Sequence, residues 1–284
     1  MPEQFREVVK RGPVAWDNYS KLGCAELTAD EELPSGSYDL SPDSTEDFHG
    51  HGTHVASLAA GLRLGIASHA KLLPIKAAWP CRVGKGVETV THSLVLTAAL
   101  KYVRDLYKEG SLGKKVVVNV SLGILDSEIE HPFIPTLMKQ LNLCHDDGIL
   151  VVAASGNNGR PCDVLPACHP KTLTVNASAY NSDEHMDFKH ERSNYGPSTH
   201  IFAPGHRVLG ADWKVTNGAI TRTGTPFASP ITAGYAAFLL SMDDYTPVAL
   251  MQRILDDAAQ GQIDGVPDCT PNRLLYTVKI LRRK

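Results

Sequence analysis

The run Ile149–Ala154 is apolar at every position. It is too short for an ordinary helix, and it lacks the alternation of a strand with one wet face. It fits a central strand of a parallel sheet, buried on both sides. Parallel neighbours are joined by crossovers, usually helical, so this strand predicts helices before and after it. Ile134, Leu137, Leu141 and Cys144 mark one helical face just upstream. Further back, Val90, Leu94, Ala98, Tyr102 and Leu106 recur at steps of four within Val87–Lys108, and Gly110 stops the pattern. The β-branched run Val116–Val120 reads as a second buried strand, Leu72–Lys76 as a third, and His54–Leu62 as a buried helix of small residues. Downstream, Pro226–Met242 is a helix of small and apolar residues. Thr246 caps a last helix that carries Pro247 in its first turn and runs to about Ala259. The expectation is one α/β domain over residues 1–284, with a central parallel sheet and helices on both faces. It opens with a polar, irregular segment over 1–46 that is rich in Pro, Gly, Ser, Asp and Glu.

Composition narrows the function classes. A net charge of −3 and a pI of about 6.4 leave no basic stripe to grip a phosphate backbone, so no nucleic-acid partner is expected. No apolar stretch reaches the length of a membrane span. The polar start, Met1 to Arg11, has no signal-peptide core; the expected setting is cytoplasmic. The six cysteines are scattered without a CxxC pair, which makes free thiols the default. The short spacing of Cys162 and Cys168 keeps a disulfide or metal reading open.

Three constellations carry chemistry. In Asp47–Ala56 a histidine, His51, opens a helix of tiny residues, which would hold an imidazole rigidly enough to act as a base. His49, His51 and His54 fall close together, but Gly50, Gly52 and the helix start break the spacing of a metal site; no metal and no cofactor are expected. At the end of the central strand, Ser155-Gly156-Asn157 puts a side-chain amide where parallel sheets bind ligands. It is either a donor to a developing oxyanion or a plain Asn-Gly turn. Gly224–Gly234 is a glycine-led turn that runs into a small-residue helix.

In this order the three resemble the subtilisin-like serine proteases, the proteinase-K-like fungal members among them. That family writes HGTHVA, a GN turn after an apolar strand, and GTSxAxP followed by AG. This chain has HGTHVA at 51–56, SGN at 155–157 and GTPFASP at 224–230, with Ala233-Gly234 beyond. VVVNVSLG at 116–123, Ser193–Gly196, Phe202–Gly205 and Thr270–Tyr276 also match, so the likeness covers about residues 47 to 277. The resemblance implies the three-layer subtilisin fold, His51 as general base, and Asn157 as oxyanion donor. It also implies a cleft lined by Arg82–Gly86, Gly84 among them, and by Ser121, Leu122 and Gly123. Calcium often stabilises members of this family, yet no convincing loop of oxygen ligands stands out.

The departures matter as much. Pro226 stands at the family's nucleophilic serine, removing both a hydroxyl and a backbone N–H. Proline suits the start of a helix, so the change can erase catalysis and spare the fold. Asp17, 34 positions before His51, is the best candidate for the orienting aspartate, but the Ser/Thr-Gly that should follow it is absent. An exposed loop aspartate is the competing reading. Three functions follow. The first is a pseudoprotease whose cleft binds a peptide or small ligand. The second is a repurposed enzyme using His51 for proton transfer on a small molecule. The third is an active peptidase with Ser229, Thr225 or Thr223 as an unusual nucleophile.

Overall fold

The structure is a computed structural model that describes residues 47, 49–83, 86–91, 93–124 and 134–277. In chain order come α1 (His51–Ala60), the antiparallel hairpin β1 (Trp79–Val83) and β2 (Gly86–Val90), and α2 (Ser93–Lys108). Then follow β3 (Val117–Val120), α3 (Ile134–Asp146), β4 (Leu150–Ala154), β5 (Thr172–Asn181), β6 (Met186–Lys189) and β7 (Ile201–Pro204). The hairpin β8 (Val208–Ala211) and β9 (Ala219–Arg222) leads into α4 (Thr225–Met242) and α5 (Pro247–Asp257). Three two-residue strands close the chain: β10 (Ala259–Gln260), β11 (Ile263–Asp264) and β12 (Arg273–Leu274).

The main sheet runs β10-β12-β7-β5-β4-β3, parallel throughout except at β10, with β6 folded back antiparallel on β5. β4 lies inside it and is buried at all five positions. Successive side chains of a strand face opposite sides. Accordingly Leu150 and Val152 join Leu173, Val175, Ile201 and residues of α4 and α5 in one core cluster. Val151 and Ala153 join α2 and α3 in the other, where Ile134, Leu137, Leu141 and Cys144 are the buried face of α3 as expected. α1 packs on α4, where a side chain at Gly234 would run into the Ala59 carbonyl of the α1 end. Helices therefore cover both faces of a mostly parallel sheet.

Three local expectations need correction. Leu72–Lys76 forms no ladder; apolar content alone does not make a strand. The helix expected from Val87 begins at Ser93, because Gly86–Val90 pairs with β1. β-Branched Val87, Thr89 and Val90 suit that pairing, and the step of four from Val90 was coincidental. The first helix starts at His51 and ends at Ala60; Gly61 turns extended, and Leu62 beyond it is 88% exposed.

Candidate active-site cleft

The N-terminal turn of a helix leaves backbone N–H groups without intrahelical partners. At α1 the Asp47 carboxylate supplies the acceptors. Its Oδ1 accepts from the N–H of His49 (3.1 Å) and Gly50 (2.6 Å). Its Oδ2 accepts from the Thr53 N–H (2.9 Å) and hydroxyl (2.6 Å). Burial pushes this carboxyl upward, but the donors from Thr53, Gly50 and His49 outweigh it and hold it below its ordinary value. The cap fixes the start of α1, and His51 is its first residue.

The His51 ring lies 5.6 Å from the ring of Phe227 in α4 and 6.1 Å from that of His49. Its Nε2 lies 3.1 Å from the Ser121 carbonyl, just past β3. A carbonyl only accepts, so the proton sits on Nε2. Burial drives the imidazole down to about 4, with His49 and Arg222 adding to the effect against the opposing Ser121 bond and Asp47 charge. His51 is therefore neutral near pH 7. Nδ1 has no hydrogen-bond partner among the described residues. Asp17 lies outside the described residues, as does Gly84.

The entry to α4 is held by a chain of side chains. Pro230 lies one turn into that helix and has no N–H, so the Pro226 carbonyl four residues earlier loses its intrahelical donor. The Ser121 hydroxyl replaces it at 2.8 Å. Asn119 Nδ2 donates to Ser121 Oγ (3.0 Å), and Ser229 Oγ donates to Asn119 Oδ1 (2.7 Å). Pro226 itself is the second residue of the helix and is half-buried. Ser121 is only 6% exposed, while Leu122 packs on the α2–α3 core and Gly123 faces solvent.

Asn157 meets the entry to α4 through Thr225, the residue before Pro226. Its Oδ1 accepts from the N–H (2.9 Å) and hydroxyl (3.1 Å) of Thr225. Nδ2 has no partner among the described residues. The Thr225 hydroxyl also accepts from the Gly156 N–H at 3.1 Å. Gly156 has φ +102°, and a Cβ there would come within 2.4 Å of Asn194 Nδ2. Asn194 in turn donates to the Ser155 carbonyl (2.9 Å) and accepts from the Asn158 N–H (2.9 Å). The Asn-Gly turn and the projecting amide are thus one arrangement.

The structure brings His51, Ser121, Asn157 and Pro226 to one place through these contacts. The hydroxyls of Thr225 and Ser229 are buried and committed, and Thr223 Oγ1 accepts from the Arg207 N–H. Asp47, Asn119 and Asn194 were missed as working residues, and Thr225, weighed as a nucleophile, instead holds Asn157. Their only signal was membership of the motif segments. Among the described residues, Cys144, Cys162, Cys168 and Cys269 form no disulfide, and no three His, Cys, Asp or Glu side chains are grouped to hold a metal. No helix of the described residues is long and apolar enough to cross a membrane.

Residues 26–272 match the family model described as the Subtilase family; Asp17 precedes that stretch. The chain is 33% identical over 246 residues to the subtilisin-like serine protease Pen ch 18 of Penicillium rubens, covering 82% of this chain and 47% of that protein. It is 33% identical over 238 residues to the subtilase-type proteinase psp3 of Schizosaccharomyces pombe, covering 81% and 48%. The chain spans about half the length of the curated relatives it matches. Among solved structures, a cold-adapted subtilisin-like serine proteinase aligns with a TM-score of 0.66 at 25% identity, covering 80% of this chain and 74% of that one. The prenylagaramide maturation protease PagA aligns with a TM-score of 0.63 at 29% identity, covering 82% of each chain.

Proposed function

The chain belongs to the subtilase family, and from that premise we propose that it is a proteolytically silent subtilase domain whose cleft binds an extended peptide without cutting it. One observation carries the reading: Pro226, set on the family's nucleophile position by the GTPFASP motif, is the second residue of α4 and has neither hydroxyl nor N–H. Loss of one oxyanion donor costs about 10²–10³ in rate, and loss of the attacking oxygen removes the acyl-enzyme route altogether.

No neighbouring group takes over. Ser121, Thr225 and Ser229 each point their hydroxyl into the bonds that hold the helix entry. His51 is a poor base as seated, since a value of about 4 lies far from the pH at which general bases work best. Its Nε2 proton also faces a carbonyl. These features disfavour both an unusual nucleophile and acid–base chemistry on a small molecule. Binding asks for less: the segment after β3 and the β1–β2 hairpin can accept a strand by main-chain hydrogen bonds. The test is a serine-directed fluorophosphonate probe, with an active family protease as the control. The folded chain stays unlabelled on this reading; labelling that a His51→Ala change removes would refute it.

A further inference from the structure

The cleft holds a cation that pairs with no acid among the described residues. Arg222 ends β9, four residues before Pro226. One of its five N–H donors, on Nη2, reaches the His49 carbonyl at 3.1 Å. His49 lies beside His51, with ring centroids 6.1 Å apart. The guanidinium is therefore tethered at the edge of the His51 site. It makes no ion pair among the described residues. Arg104, Arg160 and Arg253 pair with Asp147, Asp163 and Asp257, whereas Arg222, like Arg63, Arg192, Arg207 and Arg273, pairs with no acid among the described residues; of these, Arg222 is the one tethered beside His51.

The nearby carboxylate cannot serve. Both Asp47 oxygens already accept two hydrogen bonds each from the α1 cap. At the entry to α4, the Asn157 amide presents two more donors without partners among the described residues. Among the described residues the cleft thus offers donors and positive charge and no free anionic acceptor. A planar guanidinium held in place is suited to bidentate recognition of a carboxylate.

We propose that the cleft selects acidic peptides, with Arg222 taking the carboxylate of a Glu or Asp side chain or of a free chain end. The proposal rests on the peptide-binding reading above and names its ligand class. Arg222 is then a specificity-determining residue, and its charge adds to the burial that lowers His49 and His51.

The test is fluorescence anisotropy on the full chain with extended peptides that differ only as Glu, Gln or Lys at a scanned position, each as free acid and as amide. Glu peptides bind about tenfold more tightly than their Gln counterparts at low salt, as expected for a partly solvated charge-assisted pair. The gap narrows as salt rises, closes in Arg222→Gln, and turns towards Lys in Arg222→Glu. A free-acid preference without a side-chain preference identifies the chain end as the carboxylate. Binding that ignores Glu against Gln and acid against amide overturns the proposal and leaves peptide binding standing. So does a preference that persists in Arg222→Gln. If no peptide binds, the cleft reading fails and this proposal fails with it. The comparison of peptides on the unmodified protein needs no variant to fold.

Discussion

At the scale of single residues, the site turns on what Pro226 lacks and on what His51 already does. The imidazole gives its Nε2 proton to the Ser121 carbonyl and sits mostly out of water. Its ring should therefore titrate near 4 by NMR, with the Nε2–H tautomer dominant above that; a midpoint near 6.5 would mean that the ring is solvated. A Pro226→Ser protein regains a hydroxyl and an N–H at the second residue of α4. It should acquire slow fluorophosphonate labelling that a further His51→Ala change abolishes. If folded Pro226→Ser stays inert, the new hydroxyl is out of reach of the imidazole. Ser121 has a separate structural duty, since its hydroxyl is the donor that Pro230 cannot be. Ser121→Ala leaves a part-buried carbonyl without its donor and should cost about 1–3 kcal/mol in urea unfolding; an unchanged midpoint would show that water replaces the hydroxyl.

At the scale of elements, α1 and α4 are held at their entries by side chains from elsewhere in the chain. Asp47→Ala removes four accepted bonds at the α1 cap. It should lower stability by about 1–2 kcal/mol, and Asp47→Asn by less, read as a fall in Tm. The positions of α3 and β4 were legible because burial writes a period into the sequence: four apolar positions one turn apart in α3, and five consecutive buried ones in β4. The hairpin β1–β2 was not, because Val87 and Val90 fit either a helix step or a strand. Pairing with a distant partner decides between them. Likewise His51, Asn157 and Pro226 were found through their motif neighbours. The link from Ser229 through Asn119 and Ser121 to Pro226 spans more than a hundred residues; no local pattern encodes it.

At the scale of the whole molecule, buried histidines set the response to acid. Burial, as the leading cause, lowers His49, His51, His54, His169, His190 and His200 from their ordinary value. Each is harder to protonate in the fold than in the unfolded chain. Between the unfolded value near 6.5 and the lower folded values, the unfolded chain binds more protons, so stability falls as pH drops through that window. His51 alone, moved from 6.5 to about 4, accounts for about 3 kcal/mol of this fall. Urea midpoints measured from pH 7 down to 4 should decline steadily, and less steeply in His51→Ala; a flat profile would mean that these rings are not shielded. The subtilase architecture has helices on both sides of its parallel sheet, and on the proposed reading it surrounds a cleft with binding groups and no attacking oxygen. The most direct test of that claim is to incubate the full chain with a diverse extended-peptide library and analyse both bound and free peptides by mass spectrometry. The account predicts peptides recovered intact from the protein with no new termini over the incubation. New termini that disappear in the His51→Ala protein would contradict it.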